Sequence, residues 1–222
     1  PAILASVMFV DNHTGGSYYP AGSTLFLPGL LEKSIEENGG DMILEKEVTK
    51  ILFENNKPVG VELNTKEKIH ADNIIFSGTV WDLYGKIIDS NETTEKKRRW
   101  ARNMIPTYPS VVLYCLVKDN CIPKDTQPVE MLVGNVDQID ESEVTAYIFS
   151  IDDKTLCEES YHVIAAIGPT FVKWSELNEE EYITRKEQEK ERLIKVLERR
   201  FPDIRNSLVY TNLATSKTLE RY

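Results

Sequence analysis

The 222-residue chain has few histidines, few cysteines and a deficit of basic charge, and each shortage removes a class of chemistry. His13, His70 and His162 stand far apart, none at a spacing that metal ligands adopt, so no metal centre is expected. Cys115, Cys121 and Cys157 form no CxxC pair and are odd in number, which argues against a disulfide framework and favours a reducing compartment. With 26 Lys and Arg against 36 Asp and Glu, the net charge of -10 denies the chain the basic surface that phosphates need, so no nucleic-acid partner is expected. Long apolar runs are missing too: the longest, residues 111–117, is far too short to span a bilayer. Ser6, Ser17 and Ser23 lie in no nucleophile elbow. The acidic doublets Asp140-Glu141, Asp152-Asp153 and Glu158-Glu159 are chain neighbours, which an extended backbone points to opposite faces, so they make poor acid/base pairs. Asn12-His13-Thr14 and Asn91-Glu92-Thr93 match the glycosylation pattern with no secretory signal beside them.

What is present is the composition of an ordinary globular protein, 41% hydrophobic and 28% charged, long enough for one large domain or two small ones. Leu25, Leu27, Leu30, Leu31 and Ile35 put an apolar stripe on a helix that stops at Gly39-Gly40, and Met42-Ile43-Leu44 follows as a short strand. Residues 48–53 and 59–63 flank a polar turn of the hairpin type; residues 68–71 and 73–76 continue the meander, the last apolar enough to be a buried strand. From 81 to 104 the text is helical and charged, and its run Lys96-Lys97-Arg98-Arg99 reads either as a solvated helix face or as a patch that meets anionic lipid headgroups. Strands at 110–117, 130–133, 146–150 and 162–167, with turn signals between them, read as an antiparallel sheet. Asn178 caps a helix that opens with Glu179, Glu180 and Glu181, closes with Arg199 and Arg200, and buries Leu193, Leu197 and Phe201 before Pro202 ends it. Residues 207–213 make a final strand. Cys115 sits in an apolar strand as a small buried thiol. Tyr108, Tyr114, Tyr147, Phe171 and Trp174 either fill the core or line an apolar tunnel. The reading is a mixed α+β chain divided near residue 80, with residues 81–222 carrying an antiparallel sheet that has helices on one face.

Several short motifs stand in a telling order. They are Tyr19-Pro20-Ala21-Gly22-Ser23 before the first helix, Gly39-Gly40 after it, Val48-Thr49-Lys50-Ile51 in the next strand, and Ala71-Asp72-Asn73-Ile74-Ile75-Phe76-Ser77. Thr218-Leu219-Glu220-Arg221-Tyr222 stands at the far end. This succession resembles the middle of the phytoene-desaturase-like flavoproteins, the family that includes carotenoid isomerases and retinol saturases. The likeness runs from about Gly15 to Tyr222, with Ser23 where many relatives have a second glycine. Amine oxidases and protoporphyrinogen oxidases share the plan, and the Val48 strand does not separate them.

The resemblance implies FAD as cofactor. It implies that Val48 meets the adenine through its backbone, that Ser77 and Gly78 end a strand beside the cofactor, and that Tyr19, Pro20 and Gly22 form a loop near the flavin ring and the substrate. It names no catalytic side chain. Residues 1–80 would then be part of an FAD-binding domain and residues 81–222 a substrate-binding domain. The family's glycine fingerprint is missing: Gly15-Gly16 and Gly39-Gly40 are isolated pairs, and no GxGxxG follows a strand. The chain, starting at Pro1 without Met and stopping at Tyr222, reads as an internal piece that alone holds FAD poorly or not at all and is inactive. Its parent is expected to move hydride equivalents to or from an apolar polyene or isoprenoid, in the cytoplasm, either soluble or in peripheral contact with a membrane. The alternative of another class is a non-catalytic module for an apolar ligand or a protein partner.

Overall fold

The computed structural model describes residues 7, 10, 14, 20, 23–106, 109–138 and 142–219. The chain forms two compact units, one of Pro1–Leu31 with Tyr108–Tyr222 and a smaller one of Glu32–Thr107. The first described helix, Phe26–Glu37 (α1), buries none of its residues, and Gly39 follows it at φ 79°, the left-handed conformation that ends helices.

In the smaller unit a two-residue turn decides the first pairing. Asn55 and Asn56 both have positive φ, 51° and 62°, as a type I′ turn requires, and asparagine enters that region more readily than most residues. Val48–Glu54 (β1) and Lys57–Leu63 (β2) therefore pair antiparallel with Glu54 opposite Lys57, and Lys68–His70 (β3) adds to β2. Ile51 and Leu63 are buried. The Thr49 hydroxyl donates to the Glu62 carbonyl at 3.1 Å where the β1 register shifts. Beyond β3, Val80–Asp82 and the π-turn Leu83–Ile87 are held to the β1 end by ion pairs of Lys86 with Glu47 and Lys50 with Asp89. Glu95–Arg102 (α2) begins at Thr94, whose hydroxyl accepts the Lys97 N–H.

Three expectations fail in this unit. Residues 42–44 and 73–76 do not form strands, and the charged stretch 81–104 is a continuous α-helix only over α2. The first two segments are apolar and β-prone, but an extended segment becomes a strand only when its N–H and C=O groups find a ladder partner, and no described residue supplies one. Most of their side chains face solvent, with Leu44 68% and Ile75 97% exposed and Ile74 partly buried. In residues 81–104 the π-turn and the bend that follows it interrupt the helix before Thr94 can restart it.

The larger unit is a five-stranded antiparallel sheet in the order β5-β6-β7-β4-β8, made of Ser110–Lys118 (β4), Val129–Leu132 (β5), Val144–Tyr147 (β6), Tyr161–Pro169 (β7) and Leu208–Ala214 (β8). Strand period sends Val111, Leu113, Cys115 and Val117 of β4 to one face, where all four are buried. Glu179–Leu197 (α3) covers that face. Its capping box is closed by reciprocal 3.0 Å bonds between Asn178 and Glu181, and its stripe of Leu193, Ile194 and Leu197 joins Phe201, Ile204 and Trp174 in the core. Arg192 ties α3 to the end of β7, donating to the Pro169 carbonyl at 2.8 Å while pairing with the nearly buried Glu189 at 2.9 Å. Antiparallel sheets with helices set to the side make an α+β fold, as the sequence implied.

Gly60 lies against the β3 backbone, where a methyl group would come within 2.3 Å of the Ile69 carbonyl oxygen. Gly60→Ala is expected to lower stability by about 1–3 kcal/mol, read as faster amide exchange confined to β1–β3. Asn178→Ala is expected to cost about 1 kcal/mol in thermal or denaturant unfolding, with its exchange signature at the start of α3 instead.

Candidate functional site

The same alternation that buries one face of the large sheet leaves the other face open and still apolar. Val129, Tyr147, Ala165 and Tyr114 stand opposite one another across β5, β6, β7 and β4, and Ile167 pairs with Val112 in the next row. Ala165 is the small member of its row, so Tyr147 and Tyr114 flank a trough above its methyl group. Phe149 stacks on Tyr147 with ring centroids 5.6 Å apart and planes 15° from parallel. With Pro128 and the polar Thr24, Gln127 and Asp152, these residues enclose a groove of about 710 Å³. That is within the roughly 300–1,000 Å³ of small-molecule sites.

Two devices hold the walls. Arg200 pairs with Glu130 at 3.1 Å and Asp125 at 3.3 Å, and the Gln127 N–H donates to Glu130 at 2.9 Å, which fixes the segment bearing Pro128 and Val129. The bond to Glu130 raises the pKa of the Arg200 guanidinium. On the other wall, Ser150 follows Phe149. Its Oγ accepts the Val163 N–H at 3.1 Å and is hydrogen-bonded to His162 Nδ1 at 2.8 Å. The Ser150–His162 pair is a brace and not a nucleophile, because the serine is 2% exposed and its oxygen is already engaged by the β7 backbone. Burial, and secondarily Lys154, pushes the His162 pKa below its ordinary value, which favours the neutral ring. Burial also pushes the Cys115 thiol up to about 12, as befits an inert core residue.

The residues singled out in the sequence fall in different places. Val48 opens β1, half-buried and opposite Leu63. Ser77 and Gly78 are exposed in a loop, because the strand expected to end there has no partner. The Phe76 ring folds over Gly78 so closely that a Cβ there would lie 2.5 Å from its Cζ. These three belong to the smaller unit, whereas Pro20, half-buried, belongs to the larger one. Tyr19, Gly22 and Tyr108 lie outside the described residues. Of the other aromatics, Tyr114 and Tyr147 do line the groove, Phe171 is 58% exposed elsewhere, and Trp174 is core, edge-on to Tyr182. Sequence reasoning missed Phe149, Ala165 and Ile167. The available signal was that β4 and β7 are apolar on both faces, where a sheet with one solvated face would alternate with polar residues. Among the described residues no group of His, Cys, Asp or Glu could hold a metal ion, and no helix is long and apolar enough to cross a membrane.

Comparison with known proteins places the chain. The sequence profile of the flavin-containing amine oxidoreductases matches residues 2–215. Prolycopene isomerase of Daucus carota is 27% identical over the whole chain, which covers 37% of that protein, and its Arabidopsis thaliana counterpart is 25% identical with 38% covered. The chain thus spans less than half the length of these curated relatives. Among solved structures, an oxidoreductase from Methanosarcina mazei has a TM-score of 0.60 at 17% identity, over 87% of this chain and 42% of that one. At that identity the likeness bears on fold alone.

Two outcomes test the site. Ala165 is only 3% exposed at the floor of the trough, so Ala165→Phe is expected to weaken binding of an apolar fluorescent probe by roughly tenfold or more and to cost about 1–3 kcal/mol of stability. Since the His162 pKa is lowered by folding, the unfolded chain takes up the proton first as pH falls. Stability should be full above the unfolded value of about 6.5 and decline as pH drops from there toward the folded value. A series of melts should show this in the native chain and not in His162→Asn.

Proposed function

The chain belongs to the flavin-containing amine oxidoreductase family, and from that premise we propose that the intact protein is an FAD-dependent oxidoreductase acting on an apolar polyene or related isoprenoid. The groove on the open face of the large sheet carries the reading. A conjugated hydrocarbon offers no hydrogen-bonding groups, so its binding rests on apolar area removed from water and on stacking. Tyr114 and the stacked pair Tyr147 and Phe149 offer flat faces for this, Ala165 leaves room for a long thin ligand between them, and the polar groups are few. The Daucus carota relative, an isomerase named for prolycopene, supports a polyene as the substrate class.

FAD, when bound, supplies the acceptor or donor of hydride equivalents. The described residues fit a part of that cofactor. Val48 stands at a strand end, where a backbone contact to adenine needs no special side chain, and Ser77 and Gly78 are exposed in a loop of the same unit. In this reading Tyr19, Pro20 and Gly22 form the loop between flavin ring and substrate. Residues 1–80 belong to the FAD-binding domain and residues 81–222 to the substrate-binding domain. With no GxGxxG to receive the pyrophosphate, the chain alone holds FAD poorly or not at all and is inactive without the remainder of the protein. The unburied α1 and the exposed residues 42–44 support this, since they have the apolar character of a helix and strand that other segments complete.

The test is the intact protein, purified and incubated with polyenes and, separately, with primary amines under anaerobic conditions. The expected result is a flavin spectrum with polyene conversion, and an Ala165→Phe variant that keeps its flavin while losing most conversion. A protein without flavin would overturn the oxidoreductase, and flavin reduced by amines with polyenes untouched would overturn the substrate class.

A further inference from the structure

The outer side of α2 combines basic charge with large exposed apolar side chains, and we propose that it is a docking patch for the surface of an anionic phospholipid bilayer. The inference stands on α2 and the two apolar residues just past its end, Met104 and Ile105, and goes beyond the flavin reading. Ala101 is buried and Arg98 half-buried, which marks the inner side of the helix. At about 100° per residue, Lys96 and Trp100 then align on the outer side, with Lys97 and Arg99 on either flank, and Met104 and Ile105 follow just past the helix end. Trp100 is 50% exposed, Met104 41% and Ile105 90%. The Trp100 ring is set edge-on to Tyr84, centroids 6.2 Å apart, so it is positioned while still half in solvent.

Charge says which surface this face fits. Glu95 neutralises Arg98 and Arg102, but Lys96, Lys97 and Arg99 carry no ion pair among the described residues. In a chain of net charge -10, three uncompensated cations on one short helix are a local reversal of sign. The apolar neighbours then choose among anions. A nucleic acid would use the cations and stack a base on Trp100, but it offers nothing to Met104 and Ile105. A bilayer takes all of them: tryptophan at headgroup level, aliphatic side chains among the acyl chains, and lysine stems lying along the apolar boundary with their ammonium groups on the phosphates.

The experiment is flotation of the intact protein with vesicles of phosphatidylcholine alone and of phosphatidylcholine mixed with phosphatidylglycerol. Binding to the mixed vesicles only, falling with added salt, is expected. Replacing Lys96, Lys97 and Arg99 together by Gln should weaken it on the order of a hundredfold. A variant with Trp100→Ser and Ile105→Ser keeps every charge and should also lose binding. Brominated acyl chains should quench tryptophan emission of the native protein and not of Trp100→Phe. Unchanged flotation of the glutamine variant would overturn the proposal. So would full vesicle binding by the serine variant together with a glutamine variant that loses heparin and vesicles equally, since that marks a general polyanion site.

Discussion

The larger unit depends on a one-sided arrangement: α3 presses its Leu193, Ile194 and Leu197 stripe against a single face of a sheet whose central strands are apolar on both. Because β4 and β7 alternate strictly, every residue that faces α3 is matched by a neighbour that cannot reach it. Cys115 and Leu113 complete the core, and Tyr114 between them is necessarily turned the other way. The groove thus lies on the back of the packing that stabilises the domain. Arg192, bonded to the Pro169 carbonyl, and the capping box at Asn178 keep α3 where that division holds. The two walls are fixed separately, by Arg200 on one side and by the Ser150–His162 brace on the other.

The elements whose partners lie within the chain were legible in the sequence. The hairpin around Asn55-Asn56, the strands β4 and β7 and the capped helix α3 all carry their signals locally, in turn residues, alternation and a 3.6-residue stripe. Residues 42–44 and 73–76 carried equally good strand signals and failed, because a strand is completed by its neighbour and periodicity does not reveal whether one is there. The candidate site was half legible for a related reason. Tyr114 and Tyr147 stood out as aromatics, whereas Ala165 is defined by being small between them, which only the cross-strand register discloses. Trp174, which the sequence left open between core and tunnel, is core, since size and aromaticity do not tell which face of a sheet a side chain meets.

The smaller unit shows the opposite balance. Its three-stranded sheet buries little, the part of α1 that belongs to it buries nothing, and Leu44 and Ile75 stand in solvent. An apolar helix and strand-like segments without partners among the described residues are costly in water, and the chain spans less than half the length of its curated relatives.

The central claim is that the substrate lies on the open face of the five-stranded sheet, across Ala165. Photo-crosslinking of the intact protein with a polyene that carries a photoactivatable group, followed by peptide mapping, tests it most directly. The account predicts labels on Val112 and Tyr114, on Tyr147 and Phe149, and on Ile167, with α3 unlabelled. Labels confined to α3 or to the three-stranded sheet, with β4, β6 and β7 clean, would contradict it.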